Sequence, residues 1–165
     1  KIMILHMYYF THFLAILIFI KFNFPKAQIF LGDGGAYLLG TLTSISTIIT
    51  NNITPSISSF FFCILLFYLF FEVFFSFIRK IFFVGQNPLL PDKQHLHMLV
   101  YKHLLKKSKK SLESNYKTSI YINSIYLMLV IPGLTFMQDG LFCRYYFLSL
   151  LIIYIFIYKK LKRGA

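Results

Sequence analysis

The chain has 165 residues, of which 58% are hydrophobic and 13% are charged, and its formal net charge is +12. Soluble domains are usually about a quarter charged, so this composition excludes an ordinary soluble protein and favours one that spans a lipid bilayer. The apolar runs do not alternate with polar residues, which favours helices over a β-barrel. We therefore expect an all-α integral membrane protein.

Five apolar runs predict membrane spans within a single domain, residues 1–165. Each approaches the length of about 20 residues that a helix needs to cross the hydrocarbon core. The second run is rich in Ser and Thr, which suits a helix packed among other helices. In chain order the predicted spans are residues 2–20, 37–53, 60–78, 119–136 and 141–158.

The basic residues predict the orientation of these spans. With five crossings, 15 of the 17 Lys and Arg residues fall on one side, and many of them lie in one long polar loop, residues 79–118. The positive-inside rule makes that side cytoplasmic, which predicts a multi-pass protein of the inner (plasma) membrane. Because the excess charge follows the topology, it does not indicate a nucleic-acid partner.

An acid flanked by glycines precedes the second predicted span, where Gly32, Asp33 and Gly34 follow one another. Glycines allow a positive φ and the close approach of a ligand to the backbone. A helix N-terminus favours phosphate, and a carboxylate is a ligand that Mg²⁺ prefers. The alternative is that Asp33 only caps the helix.

The long loop contains a second cluster of polar residues, with Asp92, Lys93, His95 and His97 within six positions. Residues i and i+2 share a face only in an extended backbone, so regular helix is not expected here if both imidazoles serve one site. Histidine suits hydrogen bonding to phosphate and proton exchange. The alternative is an interfacial loop with solvated histidines.

A helical pattern begins after this cluster, with apolar residues at positions 96, 99, 100 and 104. Basic residues on the other side predict an amphipathic helix at the membrane surface. Residues 106–114 are predicted to be a solvated linker.

A carboxylate, Glu72, lies inside the third predicted span. Burying it is costly, so we expect it to face the helix bundle or a wet cavity. Arg79 follows on roughly the same face. Arg79 and Lys80 either anchor the end of the helix or attract a substrate phosphate.

Two segments together resemble a known family. "FNFPKAQIFLGDGGAYLLG" (residues 22–40) is similar to the N-x-P-x-K-x-F-x-G-D-x-G-S-x-x-L-G motif of the polyprenyl-phosphate N-acetylhexosamine-1-phosphate transferases, glycosyltransferase family 4. "FFEVFFSFIRKIFFVGQNPLLPDKQHLHML" (residues 70–99) is similar to their acid-bearing helix, basic pair and P-D-R-x-H-L-H-H loop. The resemblance covers nearly all of the chain but only the C-terminal half of a family member.

The resemblance implies an Mg²⁺-dependent phosphoglycosyl transferase that acts at the start of peptidoglycan, O-antigen or capsule synthesis. Such an enzyme moves a sugar-1-phosphate from a UDP-N-acetylhexosamine to a polyprenyl phosphate in the bilayer and releases UMP, with its active site facing the cytoplasm. Association into a homodimer is left open.

The same resemblance implies roles for individual residues. Asp33 would be catalytic and hold the metal, while His95 and His97 would be catalytic and contact the nucleotide diphosphate. The remaining substrate-binding candidates are Asn23, Lys26, Gly32, Gly34, Arg79, Lys80, Asp92 and Lys93.

The chain departs from the family pattern at three positions, where Ala36 replaces Ser, Lys93 replaces Arg and Met98 replaces a second His. The paired aspartates of the family have no counterpart in this sequence. We therefore expect this chain alone to be incomplete and inactive as an enzyme. The alternative function is a truncated, catalytically inactive membrane subunit or remnant of such a transferase; a channel or transporter subunit has less support.

Overall fold

The computed structural model describes residues 2–25, 27–85, 87–88 and 90–164, with side chains from Met7 onward. These residues form helices and no strands, which confirms the all-α prediction. The helices are α1 (Ile2–Asn23), α2 (Gly32–Ile53), α3 (Ser59–Leu65), α4 (Phe67–Ile78), a π-helix (Arg79–Val84) that continues α4, α5 (Leu96–Ser108), α6 (Ser111–Thr135) and α7 (Gly140–Gly164).

Two of these helices, α6 and α7, are long and apolar enough to cross a membrane. A third candidate span results if α3, α4 and the π-helix together make one bent span. The side-chain-resolved part of α1, Met7–Asn23, is a shorter apolar helix. Within the described part of the chain, two or three spans are thus supported, and the count of five stays a prediction.

The chain divides into two compact units, residues 1–43 and residues 44–165. The first unit contains α1 and the start of α2. Left-handed backbone conformations occur at Ala27, between these helices, and at Gly32, the first residue of α2, with φ of 48° and 67°. Glycine adopts this conformation at no steric cost, and Gly32 is thus suited to the turn directly before Asp33.

The second unit has an apolar core formed by α3, α4, α5 and α7, with α6 packed against α3 and α5. Because lipid tails are as apolar as these side chains, van der Waals packing rather than removal from water holds spanning helices together. The buried core side chains are Phe61, Phe62, Ile64, Phe67, Phe71, Leu96, Leu99, Cys143, Leu150, Tyr154 and Tyr158.

The predicted third span differs from the observed helices. The chain bends by 73° between α3 and α4, at Leu66. Tyr126 of α6 donates its hydroxyl to the Leu65 carbonyl, so an acceptor at the break has a partner from outside the helix. The helix also continues beyond the predicted end at residue 78 and stops at Gly85, whose φ is 65°.

The start of α5 at Leu96 confirms the predicted helix, but its surroundings differ from the prediction. Leu96 and Leu99 are buried in the core, where α5 packs against α6 and α7. A helical apolar stripe suits a protein neighbour as well as a lipid surface, and here the neighbour is protein.

The predicted linker at residues 106–114 is wrong, because only Lys109 and Lys110 separate α5 from α6. Lys109 ends α5 in a left-handed conformation. The first turn of α6 is stabilised by the fully buried Ser114, whose hydroxyl donates to the Lys110 carbonyl at 2.8 Å and contacts the Ser108 hydroxyl at 2.7 Å.

Candidate functional site

One face of α4 and the π-helix carries four buried polar residues. Glu72, Ser76, Arg79 and Lys80 are spaced so that they follow one another along one side of a helix. All four contact the segment that leads into α5, or the first residue of α5. We call residues 90–97 the histidine segment.

Glu72 is 7% exposed and lies at the start of α5. Its Oε1 accepts a hydrogen bond from the Leu96 backbone N–H at 2.6 Å and lies 3.0 Å from His95 Nδ1. Its Oε2 accepts a hydrogen bond from the Tyr154 hydroxyl at 2.6 Å. The expectation that this acid faces the bundle is confirmed. A negative charge at this position is stabilised by the N-terminus of α5.

Asp92 is fixed by a second set of contacts. Its Oδ2 accepts hydrogen bonds from Ser76 and Arg79, and its Oδ1 accepts one from the Gln94 backbone N–H at 2.8 Å. Burial of the carboxyl opposes its ionisation, but the hydrogen bonds and the Arg79 charge outweigh that effect and lower the pKa of Asp92 to about 2. Asp92 is therefore an anion at neutral pH.

The two cations of the π-helix are both engaged by the protein. Arg79 Nη1 donates to Gln94 Oε1 at 3.0 Å, in addition to its ion pair with Asp92. Lys80 Nζ donates to the carbonyl oxygens of Pro88 and Leu90. These contacts fit the interpretation that Arg79 and Lys80 anchor the end of the helix, and they do so by holding the segment that leads into α5. Contact of these cations with a substrate phosphate stays a prediction.

The two histidines lie side by side. His95 is extended, with φ of −63° and ψ of 152°, and His97 lies in the first turn of α5. Their rings are 5.5 Å apart between centroids and are within 10° of parallel. The non-helical backbone expected for a shared site is thus present at His95. Partial burial, and then repulsion from His95, lower the pKa of His97 against the opposing effect of Glu72.

Lys93 differs from its neighbours because it is exposed. Its backbone carbonyl accepts a long hydrogen bond of 3.3 Å from Lys102. Lys93 therefore remains accessible to an anionic ligand.

The other predicted site residues belong to the first unit. Asp33 is exposed in the first turn of α2, next to Gly32 and Gly34, which are also exposed. Asn23 is the last residue of α1, and its carbonyl accepts a hydrogen bond from Ala27 at 2.7 Å. The predicted substrate contact of Lys26 lies outside the described residues.

The structure thus brings Arg79, Lys80, Asp92, His95 and His97 together in the second unit. It places Asn23, Gly32, Asp33 and Gly34 in the first.

Sequence reasoning did not find three residues of the second-unit cluster. Ser76 has a signal, since it lies four residues after Glu72 and three before Arg79 on the same face. Gln94 lies inside the histidine segment but was not singled out. Tyr154 has no sequence signal, because it is 82 residues from its partner Glu72.

The fit of a metal depends on Asp33. Among the described residues, no three His, Cys, Asp or Glu side chains lie close enough together to hold a metal ion. Mg²⁺ often binds through one or two carboxylates, with substrate phosphates and water as its other ligands. A single exposed carboxylate beside the N–H groups of a helix start fits that use and does not fit a metal site made of protein ligands alone.

Comparison with known proteins agrees with this assembly of motifs. Residues 1–51, which include the Asp33 turn, match the profile of Glycosyl transferase family 4. The chain is also 29% identical over 154 residues to undecaprenyl-phosphate alpha-N-acetylglucosaminyl 1-phosphate transferase of Thermotoga maritima. The chain is related to glycosyl transferase family 4.

The match to this relative covers different fractions of the two proteins. It covers 91% of the present chain and 46% of the relative, so the chain spans about half of the relative's length. No solved structure matches the chain. Together, the family 4 match and the relative confirm the resemblance carried by residues 22–40 and 70–99.

Proposed function

We propose that this chain is part of a phosphoglycosyl transferase that moves a sugar-1-phosphate from a UDP-N-acetylhexosamine to a polyprenyl phosphate. A phosphate oxygen of the lipid forms a bond to the β-phosphorus of the UDP-sugar. The bond from that phosphorus to the bridging oxygen breaks, and UMP leaves. The product is the first lipid-linked sugar of a cell-envelope polysaccharide or of peptidoglycan.

The parallel pair of imidazoles at the start of α5 is the observation that carries this proposal. His95 and His97 present two ring edges side by side, and Lys93, two residues before His95, is exposed. Histidines and a lysine suit hydrogen bonding to the oxygens of a diphosphate. Asp92 and Arg79 contribute indirectly, because their ion pair fixes the histidine segment.

Asp33 would hold Mg²⁺ together with the substrate phosphates. When bound, this ion would neutralise the negative charge that builds on the transferring phosphate and on UMP. The exposed N–H groups at the start of α2 favour the same anionic group. Asn23 and Lys26 precede this turn and would contact the substrate beside it.

The proposed topology has five spans, formed by α1, α2, the bent pair α3–α4, α6 and α7. The basic residues then lie mainly in the cytoplasm, as the positive-inside rule requires. Asp33 and the histidine segment both fall on that side of the plasma membrane, where UDP-sugars occur.

Transfer of labelled sugar-1-phosphate to polyprenyl phosphate tests the proposal, in a longer version of the protein that carries the upstream half of its relative. Asp33→Asn should abolish transfer, because Asn keeps the shape and loses the charge that holds Mg²⁺. Asp139→Asn is the matched control. Asp139 accepts the Leu141 and Phe142 N–H groups at the start of α7, and Asn caps helices equally well.

Three outcomes would count against the proposal. Normal transfer by Asp33→Asn would reduce Asp33 to a residue of the helix terminus. Robust transfer by the present chain alone would show that the upstream half is not needed. An inactive longer protein that still binds UDP-sugar would favour the alternative of a catalytically inactive remnant.

A further inference from the structure

Glu72 contacts both the side chain of His95 and the backbone beside it. Its Oε1 is 3.0 Å from His95 Nδ1 and 2.6 Å from the Leu96 N–H. One carboxylate oxygen thus holds both the imidazole ring and the first N–H group of α5. Rotation of the ring would break the contact with His95, and movement of the helix start would break the one with Leu96.

The other oxygen of Glu72 is fixed from a different helix. The Tyr154 hydroxyl of α7 donates to Oε2 at 2.6 Å, and Tyr154 itself is 4% exposed. With donors on both oxygens, the carboxylate cannot turn without losing a hydrogen bond in a buried environment, which is costly. Glu72 is therefore held in one orientation toward His95.

These contacts decide which nitrogen of His95 carries a proton. An ionised carboxylate only accepts hydrogen bonds, so Nδ1 must be the donor. Asp92 Oδ2 is 4.0 Å from Nε2, which is beyond hydrogen-bonding distance. Nε2 is then the ring atom left to exchange a proton or to contact a phosphate.

We propose that Glu72, oriented by Tyr154, is a positioning residue that keeps the proton on His95 Nδ1 and directs Nε2 to the substrate. The role of Nε2 toward substrate rests on the proposed function. The protonation of Nδ1 does not, and it can be measured on the present chain without any transferase activity.

The decisive measurement is the ¹⁵N NMR spectrum of the chain in detergent micelles with labelled histidine. The His95 signals are assigned by their loss in His95→Gln. The expected result is a protonated Nδ1, whether the ring is neutral or doubly protonated. A neutral ring with its proton on Nε2 would overturn the proposal.

Variants separate Glu72 from its surroundings. Glu72→Leu removes the acceptor and should move the proton of the neutral ring to Nε2. Tyr154→Phe leaves the Glu72 charge in place and should keep Nδ1 protonated. An unchanged Nδ1 proton in a folded Glu72→Leu variant would show that something else fixes the ring.

Kinetics of the longer protein test the consequence for substrate. Acids that orient a histidine in metal sites contribute about 10–100-fold to activity. Glu72→Leu should lower kcat/KM by about 10-fold or more, with Glu72→Asp recovering part of the loss. Nδ1 protonation together with unchanged kinetics would overturn the part of the proposal that concerns Nε2, and a longer wild-type protein without transfer would overturn the proposed function instead.

Discussion

Arg79 and Asp92 form an ion pair in which each side chain is only 6% exposed, and this pair joins the end of a helix to the histidine segment. The two residues lie 13 positions apart, with the segment containing Pro88 and Pro91 between them. A buried pair of this kind is weak evidence for stability in itself, but removal of one partner leaves an uncompensated charge. Its role here is to fix the histidine segment, together with the contacts that Glu72 and Lys80 make with the same segment.

The first prediction concerns this pair. Asp92→Ala should lower the free energy of unfolding by about 3–5 kcal/mol, because Arg79 is left buried without its counter-ion. Adding Arg79→Met should recover part of the loss. Equilibrium unfolding in detergent measures both effects. The control is Glu113→Ala, which removes a more exposed ion pair with Lys117 and should cost much less. Equal costs for the two acids would contradict the prediction.

The pH dependence of stability gives the second prediction. The pKa of Asp92 is lowered from its ordinary value of about 3.8 to about 2, so its carboxylate stabilises the folded state above about pH 4. This contribution is lost as the pH falls through about 2. The difference in melting temperature between the wild type and Asp92→Asn should therefore stay constant from neutral pH down to about pH 4 and shrink below it. A difference that already disappears near pH 6 would show that the ion pair is not maintained.

Binding of the nucleotide diphosphate is the third prediction. In a longer version of the protein, His97→Ala should weaken binding of a UDP-sugar by about 1–3 kcal/mol through loss of a hydrogen bond to a charged group. His103→Ala is the matched control, because His103 is exposed on the same helix outside the histidine segment. Isothermal titration calorimetry measures both. Equal losses in the two variants would remove the special role of His97.

The core position of α5 leads to the fourth prediction. Leu99 is 2% exposed, so Leu99→Ala should cost about 2–5 kcal/mol of stability. Leu112→Ala, at a side chain that is 64% exposed, should cost far less. Thermal unfolding of the two variants in the same detergent compares them. A small effect at Leu99 would favour the original interpretation, in which α5 rests on lipid.

Topology is the fifth prediction. In a background with Cys63 and Cys143 replaced by Ser, single cysteines at residues 51–57 or 138–140 should react with a membrane-impermeant reagent added from outside. Cysteines at residues 106–110 should react only after the membrane is opened. The reverse pattern would place the histidine segment on the wrong side for a UDP-sugar.

The elements that could be predicted from the sequence are those with local signals. The start of α5 follows from its apolar spacing, and the proximity of Arg79 to Glu72 on one face follows from a helical separation of seven residues. The bend at Leu66 has no such signal, because neither proline nor glycine lies there. At this bend the hydroxyl of Tyr126 donates to the Leu65 carbonyl, and these two residues lie 61 positions apart.

The contacts within the candidate site could not be predicted either, because they join residues that are far apart in the sequence. The chemistry of His95 and Asp92 can be inferred from their residue types and spacing. The contacts that fix them cannot, since Glu72 is 23 residues from His95 and Ser76 is 16 residues from Asp92. Local periodicity identified the reactive groups, while tertiary packing decides which of them remain open to a ligand.

Two tyrosines of α7 contact residues that hold the histidine segment in place. Tyr154 holds Glu72, and the ring of Tyr158 lies 6.0 Å from the Arg79 guanidinium. A stop codon shortly before Tyr154 would leave every acid and histidine of this sequence in place. Both of these tyrosine contacts would nevertheless be lost, so we expect such nonsense alleles to behave as null alleles.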